Sequence, residues 1–226
     1  MLTSIVKCHL LDEDLVKMTM EALDTIYPFS DETIIIRTPD SVMPNYFEQY
    51  LDEYNIRTIT AEKGFPNFVV AGMLAAKGDY VAVLNNDILM PANWSKPLLG
   101  LFNTDTLLVH PKMNSWHEEF FKGRQIKDNI SPQEGMFFSA FILNKKEYSK
   151  LGWDTDYEYW GFDDWDFYYR ARKKYMPCIW TDIVQYKHKG GATIGKIGRE
   201  KFEEKNRDLF QKKHHVSPQI INWYSI

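Results

Sequence analysis

The chain has 226 residues, with 27 basic and 31 acidic side chains for a formal net charge of −4, and 44% hydrophobic and 26% charged residues. That length and balance suit one compact domain with a substantial core, and they exclude disordered, fibrous and strongly polyanion-binding classes. Cys8 and Cys178 are too few for a secreted disulfide framework and read as free, buried thiols, and the absence of a leader pattern or bilayer-length apolar run points to a cytoplasmic protein with no transmembrane segment.

Ser4 to Cys8 reads as a strand, followed by a helix whose apolar face is Leu15, Met18, Ala22, Leu23 and Ile26, stopped at Pro28. Thr33 to Arg37 is a β-branched run suited to a strand buried on both faces. Tyr46, Phe47, Tyr50, Leu51 and Tyr54 then mark a short helix capped by Asn45. Ile56 to Thr60 predicts a third strand, Asn67 to Lys77 a helix closed by Gly78, and Tyr80 to Leu84 a fourth strand. This βαβαβαβ order predicts parallel strands between helix layers. Beyond it come a strand at Thr106 to His110, an irregular stretch from Met113 to Glu134 long enough to be a functional flap, and a strand at Met136 to Leu143.

Ligands of open α/β sheets sit beyond the carboxyl ends of the strands, where this chain places Lys7-Cys8-His9, Arg37 to Ser41 with Asp40, Glu62-Lys63-Gly64 and Asn85-Asn86-Asp87. Two later segments are equally unusual: Tyr159-Trp160-Gly161-Phe162-Asp163-Asp164-Trp165-Asp166, and Tyr186-Lys187-His188-Lys189-Gly190-Gly191. Taken together, in this order and spacing, they resemble the inverting family 2 glycosyltransferases of the GT-A fold, and the likeness spans nearly the whole chain, from the first strand to Gly152-Trp153-Asp154 and Asn206 to Lys213.

The resemblance implies an α/β fold with a mostly parallel central sheet, a donor lobe over about residues 1–90 and an acceptor lobe over about 91–226 within a single domain. It implies transfer of one sugar from a UDP-, GDP- or dTDP-sugar to an acceptor hydroxyl on a glycan, a lipid-linked glycan or a hydroxylated nucleobase. Asn85, Asn86 and Asp87 stand at the family's D-x-D-like motif, with Asp87 and His188 as metal ligands. Lys7, Cys8, His9, Asp40 and Lys63 complete the donor side. Asp164 is the expected base, with Asp163 orienting the acceptor or capping the helix, and Trp160, Gly161 and Trp165 line the acceptor side. The chain departs from the family at Lys7-Cys8-His9-Leu10, at Arg37-Thr38-Pro39-Asp40 and at Asn85, where a motif acid is usual. It also lacks the Gln-x-x-Arg-Trp motif of processive synthases.

The chemistry asks for the same residue types. A leaving nucleoside diphosphate gathers negative charge that Mn²⁺ or Mg²⁺ neutralises, and an attacking hydroxyl loses its proton to a carboxylate. Each motif alone has a plainer reading. Asn85 to Asp87 suits a turn, Asp163 or Asp164 an N-cap, and His188 an ordinary loop position. Lys187, Lys189, Lys196 and Arg199 suit either a diphosphate or a solvated surface, while His117-Glu118-Glu119 and His214-His215 read as surface features. Lys122-Gly123-Arg124, Lys127, Lys145-Lys146 and Lys173-Lys174, beside abundant Tyr and Trp, permit modified DNA as the acceptor. A nucleotidyltransferase and a catalytically silent sugar-binding module are the rival readings.

Overall fold

The computed structural model describes residues 1–114, 126–128, 138–189, 200–218 and 221. Most of the 113–134 stretch, with His117-Glu118-Glu119 and Lys122 to Arg124, lies outside them, as do Gly190-Gly191, Lys196 and Arg199.

The first half alternates strand and helix as the apolar patterning predicts: β1 (Leu2–Cys8), α1 (Glu13–Ile26), β2 (Glu32–Arg37), α2 (Asn45–Glu53), β3 (Arg57–Thr60), α3 (Phe65–Ala75) and β4 (Tyr80–Asn85). β3, β2, β1 and β4 pair in that order and in parallel. Their side chains alternate between two apolar layers. Ile5, Ile34, Ile36, Val81 and Val83 face one layer, and Val6, Cys8, Ile35, Ala82 and Leu84 face the other, as the twofold strand period requires. Asp12 caps α1, accepting from the Leu15 amide at 3.0 Å. α3 packs so closely on β1 that a Cβ on Gly72 would stand 2.3 Å from Ile5 Cδ1 and force the Ile5 side chain to shift.

Boundaries differ from the expectations at two later strands, which run as Leu108–Met113 and Ala140–Asn144, and at the caps of two helices. Asn45 is the first helical residue of α2, the cap position being Pro44 with no side-chain hydrogen bond. α3 starts at Phe65 with Pro66 in its first turn and ends at Ala75, so Gly78 plays no part in its cap.

The second half adds β5 (Ile88–Leu89), α4 (Ser95–Leu99), β6 (Leu108–Met113), β7 (Ile126–Asp128), β8 (Ala140–Asn144), α5 (Lys145–Tyr148), α6 (Asp163–Lys173), β9 (Cys178–His188) and α7 (Glu200–His214). The sheet continues from β4 through β8, β6 and β9 to β5, with β7 beside β9. β8 is antiparallel to both β4 and β6, so parallel pairing dominates only the first half. β6 and β9 run parallel with a break in register, where Thr181 to Gln185 of β9 is accommodated between Pro111 and Lys112. Past this bulge the end of β9 pairs with β5, Ile88 opposite His188. Among the described residues no helix is long and apolar enough to cross a membrane.

Candidate active site

The carboxyl ends of β1, β2 and β4 build one side of the site. Asp87, 6% exposed, follows β4, and its carbonyl accepts from the Lys189 amide at 2.8 Å. That backbone bond and the Ile88–His188 pairing bring His188 Nε2 to 3.0 Å from Asp87 Oδ1. Two donor atoms separated by 101 residues in sequence thus converge through the bend in β9. Asn85 ends β4, its amide donating to the Ser139 carbonyl at 2.8 Å. Asn86 Nδ2 donates to Thr19 Oγ1 at 2.9 Å, turning the side chain back onto α1.

Lys7 lies in register between Ile36 and Asn85. Its Nζ donates to the Phe138 carbonyl at 3.3 Å and stands 3.4 Å from the centroid of the Phe65 ring. Burial pulls this ammonium down to about pKa 7, and the charges of Asp163, Asp87 and Asp164 oppose the fall. Lys7 is therefore the electrostatic link between Asp87 and the acidic pair on α6. Cys8 is a buried thiol, as expected: its side chain lies in the apolar layer and burial pushes the thiol up.

A separate group forms at the ends of β1, β2 and β3. Lys63 Nζ lies 2.7 Å from Asp40 Oδ2, and His9 Nε2 lies 3.8 Å from Asp40 Oδ1. Hydrogen bonds from Lys63 and then Thr38 hold the Asp40 carboxyl down at about pKa 2. His9 is lowered, chiefly by burial, and its Nε2 has no hydrogen-bond partner among the described residues.

The opposite side is set by the N-terminus of α6. Tyr159, Gly161 and Phe162 all have positive φ, so the chain doubles back just before the helix. This turn rests on the start of α3: the Phe65 amide donates to the Tyr159 carbonyl at 2.6 Å. Gly64 has φ +123, a backbone conformation that strains any L side chain, and a Cβ there would crowd Tyr159 N at 3.2 Å. Asp163 is buried and accepts from Trp153 Nε1 at 3.1 Å. Trp153 in turn stacks on Phe167 at 4.3 Å. Asp164 is half-buried, with Oδ1 accepting from the Trp165 amide at 2.9 Å. Burial raises both carboxyls well above the usual range, Asp163 further through the charge of Asp164, while Lys7 pulls both back. Trp160 packs edge-on against Phe202 at 5.6 Å and Trp165 against Phe162 at 5.5 Å. Gly161 is the hinge between Trp160 and Phe162, with φ +92.

Several contributors escaped the sequence reading. His214 is not a surface residue: its Nε2 is 2.7 Å from Asp166 Oδ1, within a cluster where Arg170 Nε donates to Asp166 Oδ2 at 2.7 Å and Tyr157 donates to Oδ1 at 3.3 Å. His215 is exposed, as expected. Arg170 Nη1 also donates to the Leu151 and Gly152 carbonyls, so its role is to brace α6. Of the lysines that suggested DNA, Lys145 and Lys174 donate to the backbone carbonyls of Ala76 and Lys150.

The metal expectation fits this donor set. Asp87 and His188 present one oxygen and one nitrogen at a shared point, and among the described residues no third His, Cys, Asp or Glu joins them. A hard divalent ion with few protein ligands keeps its remaining positions for water and phosphate oxygens.

Comparisons with known proteins agree with this architecture. The model of glycosyl transferase family 2 matches residues 13–163. No curated protein matches the sequence. Among solved structures, GalNAc-T7 with UDP, GalNAc and Mn²⁺ aligns at TM-score 0.66 and 14% identity, over 83% of this chain and 43% of that one. Glucosyl-3-phosphoglycerate synthase from Mycobacterium tuberculosis with Mg²⁺ and UDP aligns at TM-score 0.58 and 13% identity, over 84% of this chain and 71% of that one. The same enzyme with Mn²⁺, UDP and phosphoglyceric acid aligns at TM-score 0.52 and 14% identity, over 76% and 64%. This chain thus spans less than half the length of the GalNAc-T7 chain. The fold is that of the GT-A glycosyltransferases, and with the family model covering well over half of its length, the chain belongs to glycosyl transferase family 2.

Proposed function

We propose that the protein transfers one sugar from a UDP-sugar to a hydroxyl of a glycan or lipid-linked glycan, in a metal-dependent, inverting displacement. The observation that supports this reading is that the buried Lys7 ammonium feels the charges of Asp87 on one side and of Asp163 and Asp164 on the other, which relates the carboxylate proposed for the metal to the one proposed as base.

Asp87 and His188 would hold Mn²⁺ or Mg²⁺, and the ion supplies charge neutralisation for the leaving diphosphate. Asp164, kept partly in contact with solvent, takes the proton of the attacking acceptor hydroxyl. Asp163 is locked by Trp153 and orients rather than accepts. Inversion needs no enzyme nucleophile, and the two thiols are buried and pushed up, so neither offers a thiolate. Residues 1 to about 90 form the donor lobe and the remainder the acceptor lobe.

A uracil or thymine base is favoured over guanine by the group at Asp40. The uracil edge presents an N–H between two carbonyls and is complemented by an acceptor between two donors. Asp40 is the acceptor, Lys63 a donor, and neutral His9 offers one N–H. The solved structures of GalNAc-T7 and of the mycobacterial synthase contain UDP.

Calorimetry with UDP, GDP and dTDP, each with Mn²⁺, Mg²⁺ or chelator, tests the reading. UDP should bind tightest and only with metal. Asp87→Ala should weaken metal-dependent binding at least as much as the ~10–100-fold typical even of outer-sphere changes. Equal UDP affinity with and without metal would sink the metal role. No nucleotide binding at all would favour the silent module or the nucleotidyltransferase.

A further inference from the structure

The helix α7 lies far from Asp87 in sequence and holds none of the groups assigned to chemistry, yet its polar side chains are aimed at the segment that leads into α6. Asn206, 1% exposed, makes three hydrogen bonds to the backbone of one turn. Its Nδ2 donates to the Glu158 and Trp160 carbonyls at 2.7 and 2.9 Å, and its Oδ1 accepts from the Glu158 amide at 3.1 Å. Lys205 pairs with Glu158, and Lys213 reaches Asp154 and Asp156. His214 closes the series on Asp166.

These contacts meet a backbone that cannot hold itself. With Tyr159, Gly161 and Phe162 at positive φ, residues 158–162 form neither helix nor strand, and their carbonyls need partners from elsewhere. Asn206 supplies them, and the turn passes the constraint on in two directions. The Tyr159 carbonyl accepts from Phe65, whose ring lies under Lys7. The Phe162 carbonyl accepts from the Asp166 amide at 2.8 Å in the first turn of α6, which carries Asp163 and Asp164.

We propose that Asn206 is the positioning residue of the acceptor side. Through the 158–162 turn it sets Trp160 and the start of α6 against the donor side, without touching either substrate. The proposal rests on the glycosyltransferase reading for its kinetic consequence, but its structural half can be tested apart from it.

Amide hydrogen exchange on the whole chain is the first test, with Asn206→Ala, Asn206→Asp and Arg207→Ala compared. Asn206→Asp keeps the acceptor and near-identical shape but replaces both donors, which makes it the decisive variant should the alanine variant fold poorly. Exchange at Phe65 and Asp166 should speed up by about tenfold or more in both Asn206 variants. Arg207→Ala, altering an outward residue paired with Glu204, should leave both amides as in the wild type. Unchanged exchange at Phe65 and Asp166 in a folded Asn206 variant overturns the proposal.

The second test is kinetic, with UDP-glucose and UDP-N-acetylgalactosamine as donors and a panel of monosaccharides as acceptors. Affinity for UDP with Mn²⁺ should stay within about threefold of wild type, while acceptor KM rises by about tenfold or more and kcat falls less. A loss confined to UDP affinity, or to kcat with acceptor KM unchanged, overturns the positioning role. If no monosaccharide accepts, the exchange result decides alone. Absence of UDP binding by the wild type would count against the glycosyltransferase reading and leave the exchange result standing.

Discussion

The proposed donor side and the proposed acceptor side of this site are held in place by different physics. Lys7, His9, Asp40 and Asp87 sit at the ends of parallel strands whose register is fixed by the ladder and by alternation between two apolar layers. Their placement follows from local rules. Trp160 lies within, and Asp163 and Asp164 follow, a turn with three positive-φ residues that is pinned by Phe65 and Asn206 from distant parts of the chain, while Trp153 holds Asp163. A strand end is stable wherever the sheet is stable; such a turn exists only while its remote partners hold it. Donor-side changes should therefore be read mainly in binding, and acceptor-side changes mainly in turnover.

Asp164→Asn is the largest expected break on the acceptor side. Transfer should fall by roughly 10²–10⁴-fold, the span of general-base contributions, while calorimetry shows UDP and Mn²⁺ binding retained. Unchanged transfer would remove Asp164 as base.

Asp40→Asn is the donor-side counterpart. It should weaken UDP binding by about tenfold or more and erase the preference over GDP, since a charged acceptor is lost beside Lys63. A pure loss of kcat with UDP affinity intact would break the comparison.

Lys7 stands on the seam, and its removal is read in the pH profile. As the proposed base Asp164 must be ionised, and burial lifts its pKa while Lys7 lowers it. Activity thus falls as pH drops through a value above the ordinary carboxylate range. Lys7→Met removes the compensating charge, so the acidic limb of kcat should move to higher pH by about one unit. A limb that stays or moves down would show that Lys7 acts on the donor alone.

The smallest effect is expected from Asn86→Ala. Loss of the bond to Thr19 should cost about 1 kcal/mol of stability, a drop of about 2–4 °C in Tm, with UDP affinity unchanged. Weakened UDP binding would return Asn86 to the donor site.

Much of this molecule was legible along the chain because apolar alternation and helical spacing are local signals. They marked β1 to β4 and the helices between them, and so the strand ends where Lys7, Asp40 and Asp87 stand. Boundaries slipped where the deciding interaction was not local, as at Asn45 and Gly78. The inward turn of Asn86 depends on which layer a side chain faces one residue either way, and motif order carries no such information. β5 is too short to show a period, and the first part of β9 was hidden among buried aromatics. Residue type, spacing and the order of the acidic and histidine motifs were enough to determine the family and the chemistry to look for. Only the tertiary structure decided that His188 meets Asp87, that Lys7 lies among three carboxylates, and that His214 and Asn206 brace α6 and the turn before it. Those relations are set by a bulge in β9 and by hydrogen bonds across 46 to 101 residues of chain, distances over which single-sequence patterns carry no signal.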